Sequence, residues 1–376
     1  MRIAIVTATT TDRVTGVAEY LINLVANLQA IDARNEYHVI TTRDNRYMFD
    51  LHAPNFAEVT LPLRQRPWLL MRGLYHAWQA AVFPLWCAWR RIDLVHLPNT
   101  LLVSPLLSSI VTIHDVTELK TRKYSGLRTL VRRTMIESAI RFSRTIIADS
   151  DSTAADLRAM GARRVTTIHL GFDRTAAGRA HDAEAARRCL DQHGVEAGRY
   201  AIAIGTLMKH KNLPNLVRAF ARLPAGIAQK LVIVGARDNA YDDVAAAIAA
   251  AGGAANVALL DYVTMEEKEV LLRNAGLLCL ISAYEGFGLP VLEAQAVGVP
   301  VLISNVSSLP EIAGDGAVAV DPDDVGAIAA ALERCFVDAG LRHKLVAAGH
   351  ANVLRFSWRR CAEETLAAYE RAGAAA

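Results

Sequence analysis

A glycine loop flanked by two carboxylates is the stretch of this sequence best suited to chemistry. Glu285 lies in the loop, and Glu293 lies eight residues later, one turn into the helix that we predict to follow. Backbone amides at the start of a helix attract anions such as a diphosphate. The loop residues that would supply these amides are Gly286, Phe287, Gly288 and Leu289. The stretch therefore predicts an anion-binding loop with two acidic side chains beside it.

The residues around this loop follow the order strand, loop, helix, strand. Leu277–Ile281 is an apolar run with the length of a buried parallel strand. Pro290 suits the first turn of a helix, because a missing N–H costs nothing there, and Gly298 ends that helix. Val299–Ile303 has the composition of the next buried strand. Open α/β sheets bind ligands at the carboxyl ends of their strands, so we expect Glu285 and Glu293 to face a crevice there.

His114 is a second candidate for chemistry. It follows the predicted strand Ile110–Ile113 directly. An imidazole at the carboxyl end of a strand can hydrogen-bond a hydroxyl group or a developing charge. A lone histidine is more often structural, and the residue types alone leave that alternative open.

An Asp-Ser-Asp motif at residues 149–151 raises the question of a metal site. The motif follows the predicted strand Thr145–Ala148 and precedes an Ala- and Leu-containing helix. We therefore interpret Asp151 or Ser152 as the N-cap of that helix. No other cluster of His, Cys, Asp or Glu has the spacing of metal ligands, so no metal site is predicted.

Length and composition indicate a soluble globular protein with two domains. The 376 residues are 52% hydrophobic and 21% charged, which is enough for two cores of ordinary size. The five cysteines are scattered without a Cys-x-x-Cys spacing, which favours reduced thiols in a cytosolic protein. The apolar run at the N-terminus, Ile3–Val6, has only the length of a strand, so we expect no signal peptide. No segment approaches the ~18 apolar residues of a spanning helix.

The N-terminal half of the chain predicts an anionic partner. Residues 1–175 carry 22 Lys and Arg against 15 Asp and Glu. Residues 62–91 contain four of the five tryptophans, five arginines and no acidic residue, and residues 120–144 contain eight basic residues and one glutamate. Tryptophan and arginine around an apolar helix suit an anionic membrane surface. A core helix with a solvated face is the alternative. Nucleic acid is not expected, because no known binding module accompanies the charge.

Five motifs together resemble the retaining nucleotide-sugar glycosyltransferases of family 4. They are IHD (113–115), GTLMKHKN (205–212), EGFGLPVLEA (285–294), SNVSSLPEIAG (304–314) and FSW (356–358), in the family's order. The resemblance implies the GT-B fold, an α/β fold with two Rossmann-like domains whose parallel sheets face a central cleft. It implies an acceptor-binding domain over residues 1–175, a nucleotide-sugar-binding domain over 176–355 and a helix over 356–376 that crosses back to the first domain. It implies no metal and no cofactor.

The resemblance also assigns roles to residues. Glu285, His114 and Lys211 would be catalytic, with Glu285 on the hydroxyls of the transferred sugar and Lys211 on the diphosphate. Glu293 would bind the ribose hydroxyls. The residues expected to bind the donor are Gly16, Gly205, Lys209, His210, Lys211, Tyr262, Val263, Glu285, Gly286, Phe287, Gly288, Leu289 and Glu293. His210 stands where the family has an arginine, and Lys209 offers a nearby charge without arginine's planar fork.

The motifs look most like those of bacterial mannosyltransferases that use GDP-mannose in O-antigen or exopolysaccharide assembly. The implied reaction is a retaining, metal-independent transfer of a hexose to a saccharide or lipid-linked acceptor. The implied location is cytoplasmic and peripheral on the inner face of the cytoplasmic membrane. The alternatives are a UDP- or dTDP-sugar donor, a nucleotide-sugar epimerase on the same fold, and a binding subunit without activity. The presence of Glu285, Glu293 and Lys211 argues against the last of these.

Overall fold

The computed structural model describes residues 1–7, 16–62, 78, 82–99, 101–121, 126–173, 182–252 and 256–374. It divides the chain into two compact units, of which the first contains residues 1–171 and 356–376 and the second contains residues 172–355. Each unit is built around a parallel sheet, which confirms the predicted fold class. The predicted domain boundary at residues 175 and 176 lies outside the described residues.

The first unit is an α/β unit with a parallel sheet. Its strands are β1 (Arg2–Val6), β2 (Glu36–Thr42), β3 (Phe56–Leu61), β4 (Leu94–Leu97), β5 (Ser109–Ile113), β6 (Thr145–Ala148) and β7 (Val165–Thr167). Its helices in the same part of the chain are α1 (Gly16–Ile31), α2 (Phe83–Arg90), α3 (Thr117–Lys120), α4 (Leu127–Phe142) and α5 (Asp151–Ala159). Within the described residues the strand order is β3-β2-β1-β4-β5-β6-β7. The order reverses direction between β1 and β4, which makes this the switch point of the sheet.

The second unit repeats this architecture. Its strands are β8 (Tyr200–Ile204), β9 (Lys230–Val234), β10 (Val257–Leu260), β11 (Leu277–Leu280), β12 (Val301–Ser304) and β13 (Ala317–Val320). Its helices are α6 (Ala183–His193), α7 (Leu213–Phe220), α8 (Tyr241–Ala250), α9 (Met265–Arg273), α10 (Leu289–Ala296), α11 (Leu309–Ala313), α12 (Val325–Val337) and α13 (Ala339–Val353). The described strands pair in the order β10-β9-β8-β11-β12-β13. The direction reverses between β8 and β11.

Both faces of the second sheet are buried, and this explains its apolar strands. In β8, Ala201 and Ala203 pack into one core, whereas Tyr200 and Ile202 pack into the other. Successive side chains of a strand point to opposite faces, and a parallel sheet covered on both faces therefore reads as a continuous apolar run. This is why the sequence places β11 and β12 within two residues of their observed bounds.

The start of α5 corrects one prediction. Ser150 is the N-cap, and its Oγ accepts a hydrogen bond from the amide of Thr153 at 3.1 Å. The prediction of Asp151 or Ser152 was therefore wrong by one or two residues. The strand β6 ends at Ala148 and the chain turns at once, so Asp151 is already helical, and its carboxylate accepts the hydroxyl of Thr167 at 2.6 Å.

The last helix, α14 (Trp358–Ala374), belongs to the first unit. It packs against α1. Its Tyr369 hydroxyl lies 2.6 Å from Nδ1 of His96 in β4, and both side chains are buried. Near its start, Trp358 packs so closely against Gly171 that a Cβ on this glycine would overlap the tryptophan backbone.

Candidate active site

The loops after β8 and β11 lie side by side at the carboxyl edge of the second sheet. The two strands are neighbours, and the chain leaves β8 towards β9 but leaves β11 towards β12. Ligands of open α/β sheets bind outside the carboxyl ends of the strands at such a switch point. Residues 205–212 follow β8 and residues 281–288 follow β11. The fold therefore brings the two most specific motifs of the sequence to one place.

Lys211 and Glu285 form an ion pair across these two loops. Nζ of Lys211 donates to Oε1 of Glu285 at 2.6 Å, and the hydroxyl of Ser282 donates to the same oxygen at 2.6 Å. Only 17% of the Lys211 side chain and 12% of the Glu285 side chain are exposed. The pair therefore holds a cation and a carboxylate in fixed positions, partly shielded from solvent.

The loop after β12 supports the glycine loop. Ser307 Oγ accepts the amide of Glu285 at 2.9 Å, and Ser308 Oγ donates to the carbonyl oxygens of Glu285 and Phe287 at 3.0 and 2.8 Å. Gly288 has φ +119°, and a Cβ there would lie 2.9 Å from the Leu309 side chain. Both the backbone conformation and the space require glycine at this position. The Phe287 side chain is buried, so its ring belongs to the core of the loop.

The other residues of the 205–212 motif take separate positions. The ring of His210 is buried, and its carbonyl accepts the amide of Ala283 at 2.7 Å, which ties the two loops together. Lys209 is exposed and its Nζ lies 3.7 Å from Oδ2 of Asp243. Gly205 has φ +146° and lies against the Lys211 stem. Of the residues in this motif, Lys211 is the one whose side chain contacts the predicted catalytic carboxylate of Glu285 in the described structure.

Glu293 has a lysine partner that sequence reasoning missed. Nζ of Lys268 donates to both carboxylate oxygens of Glu293, at 2.8 and 3.0 Å, with a quarter or less of each side chain exposed. Lys268 lies in α9, 25 residues before Glu293, and no motif marks it. Its position follows from the capping box of Thr264 and Glu267, which fixes the start and therefore the rotation of that helix.

Tyr262 and Val263 follow β10, two strands away from β8. The Tyr262 side chain is 84% exposed, whereas Val263 packs partly against the core. Beside them, Arg237 donates two hydrogen bonds of 2.8 Å to the carboxylate of Asp261. These hydrogen bonds lower the pKa of Asp261. The role of Tyr262 and Val263 in donor binding stays a prediction.

His114 and Gly16 lie in the first unit. His114 follows β5, with Nδ1 2.7 Å from Oδ2 of Asp149 and Nε2 3.0 Å from the Pro98 carbonyl oxygen. Burial disfavours the charged ring, but the charge and hydrogen bond of Asp149 outweigh burial and raise the pKa of His114. Gly16 is the first residue of α1, and a Cβ there would meet no described atom within 4 Å. That His114 and Glu285 act on one ligand stays a prediction.

The described part of the chain contains no group of three His, Cys, Asp or Glu side chains arranged to hold a metal ion. In the Asp-Ser-Asp motif, Asp149 hydrogen-bonds His114 and Asp151 hydrogen-bonds Thr167. None of the helices in the described ranges is both long and apolar enough to cross a bilayer.

Comparison with known proteins finds two matching family models. The family model for "Glycosyltransferase Family 4" matches residues 14–176, and the model for "Glycosyl transferases group 1" matches residues 191–351. Both models describe glycosyltransferases, and each matches a different part of the chain. The chain is a glycosyltransferase, and its two Rossmann-like units are those of the GT-B fold.

Relatives and solved structures agree with this assignment. The O-antigen chain mannosyltransferase B of Escherichia coli is 29% identical over 378 residues, covering 95% of this chain and 96% of that protein. The GDP-mannose:cellobiosyl-diphosphopolyprenol alpha-mannosyltransferase of Komagataeibacter xylinus is 29% identical over 197 residues, covering 51% of this chain and 47% of that protein. The structure of Anabaena HepE with UDP and glucose has a TM-score of 0.73 at 16% identity, covering 99% and 100% of the two chains.

Proposed function

We propose that this glycosyltransferase moves a mannosyl group from GDP-mannose to a saccharide or lipid-linked saccharide acceptor in bacterial surface polysaccharide synthesis, with retention of configuration. The relative that spans nearly the whole chain is named an O-antigen chain mannosyltransferase. A second relative is named for GDP-mannose and a diphosphopolyprenol-linked acceptor. No cofactor is needed, because the donor is already activated by its diphosphate.

The ion pair of Lys211 and Glu285 at the switch point carries this proposal. When the bond between the sugar and the diphosphate breaks, negative charge grows on the diphosphate, and a fixed cation stabilises it. Lys211 has three N–H donors, so it can bind a phosphate oxygen while it remains bonded to Glu285. Glu285 accepts hydrogen bonds from the sugar hydroxyls. The amides of residues 286–289 would line the diphosphate site, and Gly205 lies against the stem of Lys211.

Glu293 and Lys268 complete the nucleotide half of the proposed site. The two carboxylate oxygens of Glu293 suit the two neighbouring hydroxyls of a ribose. Lys268 contacts both oxygens and fixes the plane of the carboxylate. Tyr262 and Val263 would lie beside the base, and Lys209 and His210 beside the phosphates.

The first unit would supply Gly16 and His114. At residue 16 an added Cβ would meet no described atom within 4 Å, and this open space fits the close approach of a diphosphate to the start of α1. His114 would act beside the transferred sugar. We propose same-face attack by the acceptor hydroxyl, without a covalent intermediate and without a metal ion, because Lys211 supplies the positive charge. Chelation by EDTA should then leave transfer unchanged.

Peripheral membrane binding is part of the proposal. One side of α2 presents Val82, Leu85 and Trp89, which are 51%, 72% and 73% exposed. The Arg90 guanidinium stacks on the Trp89 ring at 4.7 Å. Apolar and cationic groups side by side suit an anionic bilayer surface. Residues 63–77 and 79–81 of the predicted segment 62–91 lie outside the described residues.

The segment 120–144 has less free positive charge than its sequence indicates. Lys120, Arg132 and Arg133 form ion pairs with Asp156, Glu118 and Glu137. The exposed apolar residues of α4 are Leu130, Val131 and Phe142. Residues 122–125 lie outside the described residues. We therefore place α2 at the centre of the proposed membrane-binding surface.

The experiment that tests the donor is a thermal-shift panel of GDP-, UDP- and dTDP-sugars, followed by product analysis with a lipid-linked acceptor. GDP-mannose should raise the melting temperature most and yield a mannosylated product with the donor's anomeric configuration. Stabilisation by a UDP-sugar alone would contradict the donor assignment and support the second candidate, since HepE was solved with UDP. Release of free sugar without acceptor would indicate an epimerase instead.

A further inference from the structure

Among the described residues His114 has two hydrogen-bond partners, a peptide carbonyl and the carboxyl group of Asp149. Nε2 lies 3.0 Å from the carbonyl oxygen of Pro98, and Nδ1 lies 2.7 Å from Oδ2 of Asp149. A peptide carbonyl has no proton to donate, and an ionised carboxylate has none either. Both ring nitrogens therefore need their own proton.

Counting protons decides the charge of this pair. With one proton fewer, a nitrogen lone pair would face either the Pro98 oxygen or the Asp149 carboxylate, and both arrangements are repulsive. With both protons present, both contacts are good hydrogen bonds, and the Asp115 carboxylate nearby favours the form in which the imidazole ring carries both protons and Asp149 is ionised. The observed contacts fit the second state.

The surroundings of Asp149 make this pairing necessary. The residue is 2% exposed, and its Oδ1 has no hydrogen-bond partner among the described residues. A buried carboxylate without a cation is costly. Within the described part of the chain, His114 is the side chain that forms an ion pair with it. The negative charge of Asp149 and the positive charge of His114 therefore stabilise each other.

The other titratable groups near His114 or Asp149 do not oppose a charged ring. They are Tyr20 on α1, His96 on β4, Asp115 beside His114 in the chain and Cys361 on α14. Burial raises the pKa of Tyr20 and of Cys361 and lowers the pKa of His96 to about 3, so these three groups are neutral at pH 7. The Asp115 carboxylate favours the charged ring. The Tyr20 ring packs edge-on against the imidazole, with centroids 5.1 Å apart.

We propose that Asp149 is a positioning residue that keeps His114 as an imidazolium in the folded enzyme at neutral pH, so that this histidine acts by its fixed charge. It then serves neither as a general base nor as a general acid, because both of its N–H groups are held by Pro98 and Asp149. That this positive charge helps to bind an anionic donor rests on the proposed function. The protonation state of His114 does not depend on that function.

Histidine-selective ¹⁵N labelling and NMR test the protonation state directly. The His114 signal is assigned by its loss in His114→Gln. We expect both ring nitrogens to carry protons at pH 7, and to lose one only above the ordinary pKa of about 6.5. In Asp149→Asn the carboxylate charge is lost, so burial lowers the pKa of His114. The ring should then become neutral at a pH below about 6.5. The matched control is Asp151→Asn, the other aspartate of the motif, which should leave His114 unchanged.

A neutral ring in the wild type at pH 7, or an unchanged titration in Asp149→Asn, would overturn the proposal. The wild-type titration decides the protonation state by itself should the variant not fold.

The pH profile of sugar transfer tests the catalytic consequence. The wild type should keep its kcat over the pH range in which NMR shows both ring nitrogens of His114 protonated. Asp149→Asn should lose about tenfold in kcat at pH 7.5, the effect of one screened charge, and regain activity at a pH near 5.5. An equal loss at every pH, or no loss despite a neutral ring, would contradict the electrostatic role. Failure to use GDP-mannose at all would instead refute the donor assignment and leave the NMR result standing.

Discussion

The ion pair of Lys211 and Glu285 at the carboxyl edge of the second sheet can be compared with that of His114 and Asp149 at the carboxyl edge of the first, and the two differ in what they can bind. The pair of Lys211 and Glu285 in the second unit is 17% and 12% exposed, and the pair of His114 and Asp149 in the first unit is 16% and 2% exposed. The ammonium of Lys211 has three donors, and Glu285 occupies one of them. The imidazole of His114 has two, and both are already bonded. The first pair is therefore suited to bind a ligand, and the second to maintain a charge.

The largest expected effect is the loss of the Lys211 charge. Lys211→Met should lower kcat for sugar transfer by about 10²–10³-fold, the usual cost of removing a donor that stabilises developing negative charge. Initial rates of transfer from GDP-mannose give kcat, and circular dichroism checks that the variant is folded. Lys344→Met, at an exposed position of α13, is the matched control and should be unaffected. Full activity of Lys211→Met would show that the ion pair of Lys211 and Glu285 has no catalytic role.

The two glutamates should separate turnover from binding. Glu285→Gln keeps the size of the side chain but loses its charge, and should lower kcat by about 10²-fold with little change in the Kd for GDP. Glu293→Gln and Lys268→Met should each weaken GDP binding by about tenfold. Each variant loses a charged hydrogen bond, and such a bond contributes about 1.5–3 kcal/mol. Calorimetry and steady-state kinetics measure these quantities. These separate roles would be refuted if Glu285→Gln changed only the Kd for GDP, or if Glu293→Gln changed only kcat.

The histidine pair should make stability depend on pH. The pKa of His114 is raised in the folded state, so its contribution is fully present below the unfolded pKa of about 6.5 and is lost as pH rises through the folded pKa. The difference in the free energy of unfolding between wild type and His114→Gln should therefore shrink as pH rises above 6.5. Urea unfolding at several pH values measures it, with the exposed His52 as the control for substitution by Gln. A difference that grows with pH would contradict a charged His114.

The smallest expected effect concerns the surface of α2. The double variant Leu85→Ser and Trp89→Ser should reduce flotation with anionic vesicles several-fold, because each change removes one exposed apolar side chain from the bilayer surface. The kcat with a short soluble acceptor should not change. Leu106→Ser, which alters a leucine 79% exposed on a loop before β5, is the matched control. Equal flotation of all three proteins, insensitive to salt, would remove the membrane surface from the proposal.

The same comparison explains how far the sequence could be interpreted. The strands of the second sheet are apolar on both faces, so their runs are visible, and Lys211 and Glu285 lie in contiguous motifs beside strand ends. Once the sheet order is known, the switch point brings them together. The hydrogen bond between His114 and Asp149 joins residues 35 positions apart that directly follow the neighbouring strands β5 and β6, and no local sequence pattern predicts it. Because this contact is not visible in the sequence, the Asp-Ser-Asp motif was interpreted only as a helix start. In the structure Ser150 is the N-cap, whereas Asp149 hydrogen-bonds His114.

Lys268 was missed because its contact with Glu293 depends on the rotation of α9 over the sheet. Rotation is set by packing and by the capping box at Thr264 and Glu267, not by any spacing to Glu293. The buried position of His210 was equally invisible, because the sequence shows the substitution for arginine but not the direction of the ring. Tertiary packing decides both features.

A structure of the protein with GDP-mannose tests the central claim most directly. The account predicts that a diphosphate oxygen lies within about 3 Å of Lys211 Nζ, a normal charge-assisted hydrogen-bond distance, with a mannosyl hydroxyl on the Glu285 carboxylate and the ribose on Glu293. A donor bound with its diphosphate away from Lys211, or with Glu285 contacting no part of the sugar, would contradict it.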